Sequence, residues 1–210
     1  MLDARYFAFV TLSALLVLSP GATLAVVVET ALAEGRKAAL LTVLGVGIAN
    51  ATLALTAAFG LSAVFGHWPG ALELVRLAGA AYLGYLGVRG LWSAASPART
   101  EMGPATSPGE LAPDPCSMVA RGVLTNLLNP PVVIFYLTIV PQFIAPQDPY
   151  LARALLLGAT HVTMSILWQG SCGLAAGVAA DYLARPAARR ALQGVTGLVL
   201  VALASRLLLR

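Results

Sequence analysis

The chain has 210 residues, of which 59% are hydrophobic and only 10% charged, with a formal net charge of +4. An ordinary soluble domain is roughly one quarter charged. Residues 6–28, 38–72, 122–147 and 154–180 contain no Asp, Glu, Lys or Arg, and stretches longer than the about 20 apolar residues of a bilayer crossing exclude a soluble fold and predict an all-α integral membrane protein.

Hydropathy and helix breakers predict six transmembrane helices, near residues 6–29, 39–65, 70–92, 119–143, 150–179 and 190–209. Residues 1–28 have the order of a secretory signal, one Arg before an apolar run and small residues at Thr23 and Ala25. The length of that run and the spans after it favour a membrane helix. The first span is interrupted by SPGA at 19–22, and the second carries Gly45, Gly47 and Asn50. Glu73 and Arg76 stand three apart at the start of the third, spaced to pair as an interfacial anchor. Residues 93–117 hold five prolines and four charged residues and read as a linker. The expected organisation is therefore a first three-helix unit at 1–92, a Pro-rich linker at 93–117 and a second three-helix unit at 118–210.

The fourth span contains GVLTNLLNPPVVIFYLTIVPQF at 122–143, in which two consecutive prolines forfeit two backbone donors. His161, Gln169 and Cys172 lie in the fifth. Ala80 with Gly84, and Gly173 with Gly177, have the small-xxx-small spacing that packs helices or the protomers of a homodimer. Trp68, Trp92 and Tyr150 fall near helix ends, as interface aromatics do.

Six crossings put alternate loops on opposite sides. One side collects Arg36, Lys37, Arg89, Arg99, Arg121, Arg185, Arg189 and Arg190, and the other Arg5, Arg76, Arg153, Arg206 and Arg210. Under the positive-inside rule the first group is cytoplasmic and both termini face outward. Cations scattered through loops in this way fit membrane topology and give no nucleic-acid footprint.

Three spans on either side of the linker make any relationship between the halves an inverted one. Each half opens with a proline-broken span. Pro20 and Pro130 each lie nine residues from the expected cytoplasmic ends at Glu29 and Arg121, about 13 Å along a helix and so near the middle of the bilayer. Paired interruptions at corresponding positions of inverted halves point to a transporter's binding site, because opened backbone is tolerated at that depth only against protein or a hydrated cavity. Ser19, Pro20, Gly21, Thr23, Asn50, Asn126, Asn129, Pro130 and Pro131 are the candidate pathway residues. A substrate ammonium could meet carbonyl oxygens there, and its carboxylate a half-helix N-terminus. An ordinary pair of proline kinks is the alternative.

The stretches LSPGATL at 18–24, LAGAAYLGYLG at 77–87, NLLNPPVVIFYLTIVPQFI at 126–144, and the looser pattern of Thr196, Gly197, Ala202 and Arg206 resemble the LysE/RhtB amino-acid exporters, most of all the homoserine/threonine branch. The resemblance implies a multi-pass protein of the bacterial cytoplasmic membrane that exports an amino acid, in exchange for protons. The family typically has SPGP and NPK where Ala22 and Pro131 stand here, so a lysine is missing from the implied pathway. The branch that exports lysine and arginine carries acidic residues where Asn50 and Phe135 align, and both are neutral here. Burying a second substrate cation without a carboxylate would cost several kcal/mol, so a neutral substrate of the threonine, homoserine or leucine kind is expected. Export of basic amino acids or of divalent metal ions, as in the wider superfamily, is the alternative.

No GxSxG, HExxH, CxxC or paired intramembrane carboxylate is present, so neither catalysis nor a cofactor or metal is expected. Cys116 and Cys172 form no ligand pattern, and His161 and Cys172 are three turns apart, about 16 Å, too far to share one ion. His161 is the one candidate proton relay, against the plainer expectation of an interhelical hydrogen bond.

Overall fold

A computed structural model describes residues 3–67, 71–95, 114–178 and 185–208, which are mostly helical with no strand among them. Helix α1 (Ala4–Leu18) starts where the Asp3 carboxylate accepts the Tyr6 amide at 2.9 Å, and stops ahead of Pro20, which has no N–H to continue it. Helix α2 (Ala22–Glu34) follows at a bend of 48° and ends at Gly35, whose φ of 91° belongs to the left-handed region that a glycine enters freely. Helix α3 (Arg36–His67) is unbroken for 32 residues, and α4 (Ala71–Ala95) for 25.

Helix α5 (Pro115–Leu127) opens with Asp114 as its cap and Pro115 in the first turn, where a missing N–H costs nothing. After a break at Leu128 and Asn129 the chain turns by 64° into α6 (Pro130–Ile134), which widens to a π turn at Phe135–Ile139 and tightens to a 3₁₀ turn at Val140–Phe143. Pro141 cannot donate to Leu137, and the Val140 amide reaches back five residues to the Phe135 carbonyl. Helices α7 (Tyr150–Leu174) and α8 (Pro186–Leu208) follow.

The polarity of the bundle is that of a membrane protein. Leu40, Leu44, Ile48, Leu55 and Phe59 form an exposed stripe down α3, whereas Asn50, Asn126, His161, Ser165 and Gln169 are buried. In water such an arrangement would expose apolar area and bury polar groups, both at a cost; in lipid each is favourable. The main core gathers Phe9 and Leu12 of α1, Tyr136, Ile139 and Phe143 of the α6 segment, and Leu157 of α7.

Where backbones approach, glycine is required. A Cβ on Gly45 would lie 2.1 Å from the Val119 carbonyl oxygen, and one on Gly122 2.0 Å from that of Thr42, so α3 and α5 touch backbone to backbone. Gly87 and Gly197 do the same for α4 and α8, each facing the other's carbonyl, at 2.9 and 2.8 Å from the would-be Cβ. Of the expected small-residue pairs, Gly84 meets Ala204 and Gly173 meets Ala39 and Val27, but Gly177 faces open space.

The expectation of six crossings is met in part. Among the described residues α3 (over Arg36–Gly60) and α7 are by themselves long and apolar enough to cross a membrane, and the bent pairs Ala4–Leu18 with Ala22–Glu34 and Pro115–Leu127 with Pro130–Phe143 qualify as broken spans or re-entrant loops, giving two to four. Helices α4 and α8 include side chains outside the described ones, and within α8 the described apolar stretch is Gln193–Ala202. Most of the expected linker, Trp68, and the side chains of Glu73, Arg76 and Arg206 lie outside the described residues.

Candidate functional site

Both expected breaks exist, and their hydrogen bonding differs. At the first, the Ser19 amide closes α1 by donating to Leu15 and Leu16, and α2 begins with Ala25 donating to the Gly21 carbonyl at 3.0 Å. Gly21 supplies no capping side chain, so the amides of Ala22, Thr23 and Leu24 form a bare half-helix N-terminus. At the second, the Asn129 amide donates to Asn126 at 3.2 Å, and the Asn129 carbonyl accepts from Val132 and Val133. Pro130 and Pro131 remove the donors that a helix would offer to the Asn126 and Leu127 carbonyls. The first break therefore offers free amide donors, whereas the second offers none in its first two helical positions and leaves the Leu127 carbonyl without its helical donor.

A continuous chain of side-chain hydrogen bonds joins them. Asn129 Nδ2 donates to Thr23 Oγ1 at 3.3 Å, Thr23 Oγ1 to Asn126 Oδ1 at 3.2 Å, and Asn126 Nδ2 to Asn50 Oδ1 at 2.8 Å. Asn50 Nδ2 then donates to Ser165 Oγ at 3.1 Å, which also accepts from Gln169 Nε2 at 3.1 Å. Asn50, Asn126 and Ser165 are each 1–2% exposed. Every member is neutral, and the chain crosses from α2 through α5 and α3 to α7.

His161 lies one turn from Ser165 on α7, with Nδ1 3.0 Å from Ser13 Oγ of α1 and its ring stacked 4.2 Å from that of Phe135. It has the interhelical hydrogen bond expected of it. Ion pairs close both ends of the bundle. Arg153, buried at the start of α7, pairs with Asp3 and lies 3.9 Å from Asp148. At the other end Arg121 of α5 meets Glu34 of α2 at 2.6 Å and Thr30 at 3.2 Å. The Tyr6 amide, followed by Arg153, holds the Asp3 carboxyl below its ordinary value.

Residues 14–210 match the family described as LysE type translocator. The chain belongs to this family. It is 30% identical over 193 residues to a homoserine/homoserine lactone efflux protein of Salmonella typhimurium, covering 91% of this chain and 90% of that one. To a leucine efflux protein of an Enterobacter species it is 26% identical over 205 residues, 97% and 94% of the two chains, and to an uncharacterized membrane protein of Bacillus subtilis 27% over 198 residues, 92% and 93%. No solved structure matches the chain. This LysE type translocator is thus a multi-pass membrane protein of a transport family whose relatives include amino-acid efflux proteins.

Of the residues singled out in this translocator's sequence, Thr23, Asn50, Asn126 and Asn129 meet in the hydrogen-bonded chain. Ser19, Pro20, Gly21, Pro130 and Pro131 shape the two breaks through their backbones, with Gly21, Pro130 and Pro131 exposed. Sequence reasoning overlooked Ser13 and Ser165. The signal for Ser165 is the spacing of His161, Ser165 and Gln169, which at i, i+4 and i+8 puts three polar groups on one face of an apolar helix.

Proposed function

We propose that this translocator exports neutral amino acids of the homoserine, threonine or leucine kind from the cytoplasm, in exchange for protons. The observation that carries the reading is the buried chain from Asn129 to Gln169, which links the two helix breaks and contains no charged group. A zwitterion suits two breaks that differ in this way. The bare amides of Ala22, Thr23 and Leu24 match its carboxylate, and the Leu127 carbonyl, which loses its helical donor to Pro131, matches its ammonium. The efflux of homoserine and leucine by relatives supports the same substrate class.

In this reading the chain crosses the bacterial inner membrane six times as two inverted three-helix repeats, with both termini outside and the Glu34–Arg121 end in the cytoplasm. Packing supports the inversion. Exchanging the halves turns the contact of α3 with α5 into that of α7 with the α1–α2 pair, which also exists, and turns the α3–α7 and α4–α8 contacts into themselves. His161, bonded to Ser13 of the first broken helix, is the residue of this reading that could pass protons.

The test is efflux from a strain lacking its own amino-acid exporters, loaded with dipeptides of homoserine, threonine or leucine and expressing this protein. The free amino acid should accumulate outside faster than in the empty strain. Unchanged external levels would remove the exporter reading.

A further inference from the structure

The hydrogen-bonded chain ends at an unmet acceptor. Ser165 Oγ receives donors from both Asn50 and Gln169, and Gln169 spends its Nε2 on that bond. Its Oε1 is fully enclosed and has no hydrogen-bond partner among the described residues. The Gln169 side chain as a whole is 7% exposed. The amide oxygens of the two buried asparagines of the chain each accept a hydrogen bond, Asn126 Oδ1 from Thr23 and Asn50 Oδ1 from Asn126. A buried carbonyl left without a donor is costly to the fold, and such a group persists where something else uses it.

Its place in the bundle says what that use is. Gln169 lies five residues before the last residue of α7, about 7.5 Å along the axis. That end of α7 sits against Val27 and Ala39, through Gly173, and so on the Glu34–Arg121 side of the breaks. If the protein exports from the cytoplasm, as proposed above, a substrate passes Gln169 before it reaches Asn126 and Asn129. An α-amino acid carries an ammonium whatever its side chain, and a neutral carbonyl binds it without fixing the side chain.

We propose that Gln169 Oε1 is the first substrate-contacting acceptor of the pathway and takes the α-ammonium of a neutral amino acid entering from the Glu34–Arg121 end. The assignment rests on the exporter reading. The enclosed Oε1 belongs to a closed arrangement, and parting α2 from α5 at Glu34 and Arg121 is the movement that opens a way to it.

Inside-out vesicles containing the full-length protein, given labelled homoserine, threonine or leucine, measure loading from the cytoplasmic face directly. Gln169→Leu removes the acceptor at similar volume, and Gln169→Glu keeps an acceptor oxygen in place. The Leu variant should raise KM about tenfold, the loss of one hydrogen bond to a charged group, and its thermal midpoint in detergent should equal or exceed the parent's. The Glu variant should load neutral amino acids with a KM near the parent's and begin to load lysine. A Leu variant with an unaltered KM overturns the assignment, as does one that loses transport together with thermal stability, or a Glu variant as impaired as the Leu one. Parent vesicles that load none of the three amino acids remove the exporter reading itself, and this assignment with it.

Discussion

Asn126 and Asn50 share a 2.8 Å hydrogen bond in the interior of the bundle, between a residue just ahead of the NPP break and one in the middle of an unbroken helix. Each also bonds elsewhere, Asn126 to Thr23 and Asn50 to Ser165, so neither can leave without stranding two partners. Asn50→Ala and Asn126→Ala should each lower stability in detergent by about 1–2 kcal/mol. The double variant should lose clearly less than the sum, because the bond between the two is counted twice. Strictly additive losses would mean that the two side chains are not coupled.

Glycine at 122 is a steric requirement. Gly122→Ala places a methyl 2.0 Å from the Thr42 oxygen and must move α5 off α3, at a cost of about 1–3 kcal/mol. That shift also pulls Asn126 from Asn50, and export should fall with stability. Gly21→Ala provides the contrast. Its Cβ would meet nothing within 4 Å, and the backbone there is extended, so its thermal midpoint should match the parent's.

Charge exchange tests the clasp between α2 and α5. Glu34 and Arg121 are 18% and 34% exposed, so the pair contributes no more than about 1 kcal/mol to stability. Glu34→Arg alone and Arg121→Glu alone set like charges together, and each should slow transport more than it lowers the melting temperature. Combining them restores attraction and should recover most of the rate. A combined variant slower than either parent substitution would show that the local field, and not the pairing, is what matters.

The Asp3 contact has a defined pH dependence. The folded carboxyl titrates below its unfolded value of 3.8, so its stabilisation is complete above that value and is lost as pH falls through the lower, folded one. Asp3→Asn should therefore melt earlier than the parent at pH 7, and the gap should close as both are taken below about pH 4. A gap that persists unchanged at pH 3 would place the stabilisation elsewhere.

Much of this fold is legible because lipid imposes a simple rule on sequence. Uncharged runs mark the apolar helices, and SPGA and NPP mark the breaks, since proline's missing donor acts whatever the surroundings. The polar residues were legible as a set, for Thr23, Asn50, Asn126 and Asn129 are conspicuous in apolar helices. What bonds to what depends on helix rotation and crossing, and so Ser165, which receives two of those bonds, went unnoticed. Sequence reasoning treated the two breaks as alike, although the residues themselves set them apart. That difference comes from the second proline: Pro20 is followed by residues with amides, whereas Pro130 is followed by Pro131.

The mutual approach of Gly87 and Gly197 bears on how the protein is made. The partner of α4 is α8, and roughly 110 residues of chain separate the two glycines, which at about 5–20 residues per second is some 5–20 seconds of synthesis. During that interval α4 has no partner for the face that Gly87 leaves bare. The nascent protein thus has to shelter a half-finished helix pair until α8 emerges, and a ribosome stalled before Gly197 leaves a product whose α4 is a target for membrane quality control.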